Sequence, residues 1–294
     1  MTLPSAHSVI RYNCTFRRPP WIGAAVVTLA VAVLAIAGCS SGSKGKATGK
    51  GTEATPSESK TVTTALDLAA TASAKVNSLT ANLAVHSSGA GAGDLTGTVD
   101  IELKPAKIIK AVFNLAAPKS PAIQLDEILT GNAVYFKDPA FTKAAGKPWV
   151  EADISKLSSK VGVSLGSLLQ NLESSNPLDQ TTLFSVSRNA RVVGSSIIRG
   201  VPTVEYAGTY EPTVALAELS PKARKLLGPT LRSIGPNPVQ FEVWIDAKHI
   251  VRQAQDTANV HGQIVTTNLI VTSINKRMHV ALPAPNEIAS LPKI

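Results

Sequence analysis

The sequence predicts an α+β domain in which helices cover one face of a curved antiparallel sheet of about ten strands. Three observations carry this. One long helical stripe comes first, the apolar period then changes to two over long stretches, and short helical segments cluster between two runs of strands. Alternation that leaves one apolar and one polar face is the mark of antiparallel rather than parallel pairing.

Val62, Leu66, Ala69, Ala72, Val76 and Leu79 recur at helical spacing and predict one amphipathic helix about five turns long. After Ser78 the period is two. From Asp94 to Leu103, Leu95, Gly97, Val99, Ile101 and Leu103 face one way and Asp94, Thr96, Thr98, Asp100 and Glu102 the other. The Gly89–Gly93 run between this strand and the Thr80–Ser88 strand is a hairpin loop, not a phosphate cradle, since no helix follows it. Ile109, Ala111, Phe113 and Leu115 mark the next strand, and Ile123, Leu125 and Leu129 another. A Gly131-Asn132 turn leads to Val134 and Phe136.

Residues 150–184 interrupt the sheet with helical spacing: Ile154, Leu157 and Val161, then Leu165, Leu168, Leu169 and Leu172, then a third piece opened by Asn176-Pro177. Strands resume at Arg191–Ile198 and, after an Arg199-Gly200 turn, at Thr203–Tyr210. A further helix is predicted from Ser220-Pro221 to near Gly228-Pro229. A closing meander covers Val239–Asp246, Ile250–Asn259 and Gln263–Asn275.

The chain has 294 residues and a formal net charge of +9. Location of that charge removes its first interpretation. From Thr61 onward there are 22 Lys and Arg against 18 Asp and Glu, so the folded part is nearly neutral and no nucleic-acid partner is expected. Both cysteines, Cys14 and Cys39, precede that region, which excludes a disulfide framework, a Cys-ligated zinc or a cysteine nucleophile from it.

Arg11, Arg17 and Arg18 lead into the apolar run Trp21–Ala37, whose sole polar member is Thr28. This is the pattern of a secretory signal, with a short membrane-spanning helix as the alternative. Ile36-Ala37-Gly38-Cys39 resembles a bacterial lipobox, which implies cleavage before Cys39 and its lipidation; Cys14 then leaves with the signal. Acyl chains contribute roughly 0.8 kcal/mol per buried methylene, enough in combination for stable anchoring. Residues 1–38 are therefore expected to be a lipoprotein signal peptide, 39–60 the lipidated Cys39 with a Gly/Ser/Lys tether, and 61–294 the folded domain. The tether would reach about 25 Å.

Enzymatic constellations are sparse. His86, His249, His261 and His279 show no i,i+3 or i,i+4 pairing; the G-x-S-x-G spacings at Gly38–Gly42 and Gly162–Gly166 fall in the expected leader and tether and in a stretch of helical spacing, not at a strand-to-helix turn; and Ser-x-x-Lys spacings include Ser41–Lys44 and Ser57–Lys60 within the expected tether. Asp126 and Glu127 are adjacent and point to opposite faces of a strand. Asp153 reads as a helix N-cap, and Glu242 and Asp246 as solvated positions on an outward face. No enzyme activity, metal or cofactor is called for. Lys222, Arg224, Lys225 and Arg232 form the densest basic cluster of the domain, either a solvated helix face or a contact with anionic lipid headgroups. Val99, Ile101, Leu103, Ile109, Phe113, Ile123, Leu125, Val134 and Phe136 are either the core beneath the helices or the lining of an apolar cavity.

Several segments resemble the LppX/LprA/LprF/LprG group of actinobacterial lipoproteins, relatives of the LolA carrier fold. They are the lipobox at Cys39, the tether, the helix from Thr61, Gly131-Asn132-Ala133-Val134-Tyr135, Lys147-Pro148-Trp149 and Asn176-Pro177-Leu178. Further on come Gly200-Val201-Pro202-Thr203 with Tyr206-Ala207-Gly208, and Val239-Gln240-Phe241-Glu242-Val243-Trp244-Ile245-Asp246. The resemblance implies a half-barrel sheet with helices on its concave face and an apolar cavity that binds an acylated lipid or glycolipid for movement in the cell envelope, on the extracytoplasmic side of the membrane. A sensory or interaction lipoprotein that modulates an envelope receptor or anti-sigma protein is the alternative function.

Overall fold

The computed structural model describes residues 56–89, 92–104, 107–118, 121–153, 178, 181–260 and 262–290. Helix α1 spans Pro56–Ser73, a proline at its start supplying the fixed φ and missing N–H that a first turn tolerates. It thus takes in the last residues assigned to the tether. It also stops before Val76 and Leu79, which the apolar spacing had placed on the same helix. Ala74, Lys75 and Val76 close the helix end through N–H bonds to Ala70, Ala72 and Ser73 carbonyls. Leu79 then belongs to the first strand. The stripe runs on because Val62, Leu66, Ala69, Val76 and Leu79 are all at most 4% exposed in one core.

Strands β1 (Ser78–Ser88), β2 (Gly93–Glu102), β3 (Ile108–Ala116), β4 (Ile123–Thr130), β5 (Ala133–Lys137) and β6 (Trp149–Asp153) form an antiparallel meander. A second one comprises β7 (Arg191–Ile198), β8 (Val201–Tyr210), β9 (Val239–Asp246), β10 (Val251–Val260) and β11 (Gln263–Ile274). The meanders join where β1 pairs antiparallel with β11. A last short strand, β12 (Ile288–Ser290), adds parallel to β6. The result is one open sheet of twelve described strands, ordered β12-β6-β5-β4-β3-β2-β1-β11-β10-β9-β8-β7.

Two strands exceed the ten expected. Trp149–Asp153 had been absorbed into a helical stretch, yet Val150 and Ala152 alternate inward at 0% and 5% exposure. The N-cap expected at Asp153 gives way to a strand end whose carboxylate accepts from the Asn132 side-chain amide at 2.9 Å. The rest of that predicted helical stretch up to Pro177 lies outside the described residues. Among the described residues, three short helices punctuate the chain: α2 (Pro139–Ala145), α3 (Thr181–Ser185) and α4 (Pro212–Glu218).

Helix α5 (Pro221–Ile234) begins where expected, with Ser220 Oγ accepting from the Ala223 N–H, but runs through Gly228-Pro229. Pro229 forfeits one helical bond, and burial of Leu227, Leu231 and Ile234 offsets it. At the end of β9, Asp246 corrects another expectation. It is 7% exposed, and its carboxylate accepts from the Lys248 and Ile250 N–H groups and pairs with Arg252 at 2.6 Å. The turn to β10 is built around it, so the outward position it would hold in mid-strand does not apply.

Candidate functional site

The inner face of the sheet is defined by register. Val99 sits opposite Ala111, Ile101 opposite Ile109, and Phe113 opposite both Gly97 and Leu125. Leu115 faces Ile123, and Val134 faces Leu129. Eight of the nine residues proposed from alternation therefore lie on one contiguous surface across β2–β5, and Leu103 follows the last residue of β2. Val99, Ile101, Ile109, Phe113, Leu125, Val134 and Phe136 belong to the buried core cluster, and Leu103 and Ile123 pack against it. Gly97 admits the Phe113 ring. A Cβ there would lie 2.1 Å from the Val112 carbonyl oxygen and 2.7 Å from Phe113 Cδ1.

The other half of this face, β7–β11, is where the described helices chiefly seat, with α1 against β7, α3 against β8 and α5 against β10. Phe184 of α3 stacks on Phe241 of β9 with ring centroids 4.6 Å apart, and Tyr210 lies 6.4 Å from the same ring. Gly208 permits that closeness, since a Cβ on it would stand 2.8 Å from Ser187 Oγ and 3.0 Å from Phe241 Cζ.

Two carboxyls also face inward, and sequence reasoning identified neither as a site. Glu127 lies opposite Ala111 and Phe136. Burial, and secondarily the Asp138 carboxylate, push it up to about 7. Its neighbour Asp126 points to the opposite face, as expected of adjacent strand residues, and accepts from the Gln124 amide at 3.0 Å. Asp256 lies between Phe241 and Thr267 in the register and is 4% exposed; burial raises it to about 7. The signal for Asp256 was its place between Ala254 and Ala258, inward-facing residues too small to mark the face clearly.

The basic cluster falls on α5. Arg224, Lys225 and Arg232 are exposed, while the Lys222 side chain lies outside the description. Arg224 donates to the Ala217 and Leu219 carbonyls at 2.8 and 3.2 Å, so it also caps the end of α4. On the outer face, a polar hollow of about 280 Å³ is lined by Asn189, Arg191, Thr209, Gln240, Glu242 and Gln255 among others. Cys39 and the expected tether up to Thr55 lie outside the described residues.

No protein-family model matches the chain, and no curated protein matches it. Among solved structures it is similar to LprF from Mycobacterium bovis, at 13% identity and a TM-score of 0.46 over 76% of this chain and 98% of that one. It is similar to the Mycobacterium tuberculosis lipoprotein LppX at 16% identity and a TM-score of 0.41, covering 76% and 99%. A third similarity is to the Pseudomonas aeruginosa MucA/MucB complex, at 13% identity and a TM-score of 0.34, covering 77% of this chain and 59% of that one. The first two carry names of the group that the sequence segments resemble.

Proposed function

We propose that this protein is a membrane-anchored exported lipoprotein that binds an acylated lipid or glycolipid against the inner face of its sheet and carries it in the cell envelope. The observation that carries the reading is the contiguous apolar surface of β2–β5, placed on an open sheet whose described helices seat mainly on the other half. Seven of the nine residues proposed on this face belong to the buried core, so an acyl chain would enter by parting the side chains that cover them, each methylene it buries contributing roughly 0.8 kcal/mol. The exposed basic residues of α5 would meet an anionic headgroup or the membrane surface. Lipidation at Cys39 would hold the domain at the membrane where its ligand resides.

The test is chemical. Full-length protein isolated from its membrane should yield a bound lipid in an organic extract, identified by mass spectrometry beyond the covalent anchor. Phe136→Gln should reduce that yield several-fold while circular dichroism remains that of the wild type. Recovery of protein with no extractable lipid would sink the reading. A second reading, an interaction lipoprotein, draws on the exposed apolar residues Val192, Val193 and Ile197 of edge strand β7. A reproducible protein partner in crosslinked membranes, without extractable lipid, would favour it.

A further inference from the structure

We propose that Asp256 and Thr267 form a polar subsite within the apolar inner face, and that this subsite takes a hydroxyl group of the bound amphiphile. The inference rests on the lipid-binding reading above and adds the chemistry of the ligand's polar end.

The two residues are direct cross-strand partners on β10 and β11. Asp256 is 4% and Thr267 3% exposed, and Asp256 Oδ1 and Thr267 Oγ1 have no hydrogen-bond partner among the described residues. Their surroundings are apolar: Phe241 stands opposite Asp256 on β9, and Ala254, Ala258, Val265 and Leu269 occupy the flanking inward positions. A buried polar group left unmatched destabilises a fold, and an apolar pair at these two positions would pack without that cost. Two such groups side by side therefore point to an absent partner that completes both.

Their donors and acceptors define that partner. A carboxyl oxygen accepts, and a threonine hydroxyl both donates and accepts. One ligand hydroxyl can donate to Asp256 Oδ1 and accept from the Thr267 O–H, closing both groups without adding charge to the interior. Burial raises the Asp256 carboxyl towards neutrality, and burial, with the Asp256 carboxylate as the lesser cause, raises the Tyr210 phenol.

The experiment is a competition. Purified, delipidated full-length protein is offered equal amounts of oleyl alcohol and oleyl methyl ether, which differ by one donor, and the retained ratio is read by mass spectrometry. The wild type should retain the alcohol over the ether by about tenfold. Asp256→Leu should bring the ratio to one with total retained lipid unchanged, and Asp256→Val, which removes the same acceptor, gives the same readout should that variant fail to fold. Equal retention of the two probes by the wild type would overturn the subsite and leave lipid binding standing. Retention of neither would remove lipid binding itself, and the subsite with it. In a second competition, of oleylamine with oleyl alcohol, preferential retention of the amine would replace the hydroxyl site by a cation site.

Discussion

Glu127 and Asp256 are acids turned towards hydrocarbon, and their raised pKa values have a definite sign in the stability of the fold. Each holds its proton more tightly folded than unfolded, because burial disfavours the ionised form. Their contribution is fully present below the unfolded values near 4 and is lost as pH rises to about 7. Asp246 acts the other way. Burial alone would raise it, but the Ile250 N–H, the Arg252 guanidinium and the Lys248 N–H hold its carboxyl below the usual range. Its contribution is present above about 4 and lost as pH falls through the lowered value. Calorimetric melts of the wild type should therefore show a falling midpoint between about pH 4 and pH 7, and Asp256→Leu should flatten part of that fall. A midpoint unchanged across this range in both proteins would contradict the assignment. Asp256 was hard to see in the sequence because β10 contrasts poorly: between Val251 and Val260 its inward residues are two alanines and an acid, and its outward ones Gln and Thr. Its face became definite once pairing set it against Phe241.

Among the elements, the strands were the most legible, because period two fixes which side chains share a face whatever the strand's neighbours. All ten expected strands are present, with Gly131 and Arg199-Gly200 in positive-φ turns where the sequence put them. Helix ends were less legible. Apolar spacing ran from α1 across the junction into β1, and Pro229 looked like a terminus although tertiary burial carries α5 to Ile234. Strands β2 and β3 offer the sharpest test at this scale. Gly97→Ala must push apart Val112 and Phe113, so its denaturation midpoint should drop by the equivalent of about 2 kcal/mol. Gly194→Ala on β7 meets nothing within 4 Å and should be neutral or slightly stabilising. Equal effects of the two changes in urea titrations would show that the close approach at Gly97 is without consequence.

The whole sheet is held together by the pairing of β1 with β11, which brings residues almost 200 positions apart into register. Around this seam, the Asn77 N–H donates to the Asn275 side chain and the Ser78 hydroxyl to the Lys276 carbonyl, at 2.8 and 2.7 Å. The open sheet has two edges. The three-residue β12 blunts one, and a register shift between Val192 and Gly194 interrupts β7 at the other. No helix among the described residues is long and apolar enough to cross a membrane. Cys39→Ala should abolish incorporation of labelled palmitate in cells, and persistent labelling would contradict lipidation at that residue.

The sequence by itself determined what is local: the alternation that gathers nine apolar side chains on one face, the turns and the near-neutral charge of the chain from Thr61 onward. These follow from backbone periodicity and residue chemistry, which need no distant partner. The tertiary structure alone decided which strands became neighbours, how far the helices ran and which carboxyls were turned inward. Such choices depend on burial summed over contacts between remote segments, and short stretches of sequence do not encode that sum.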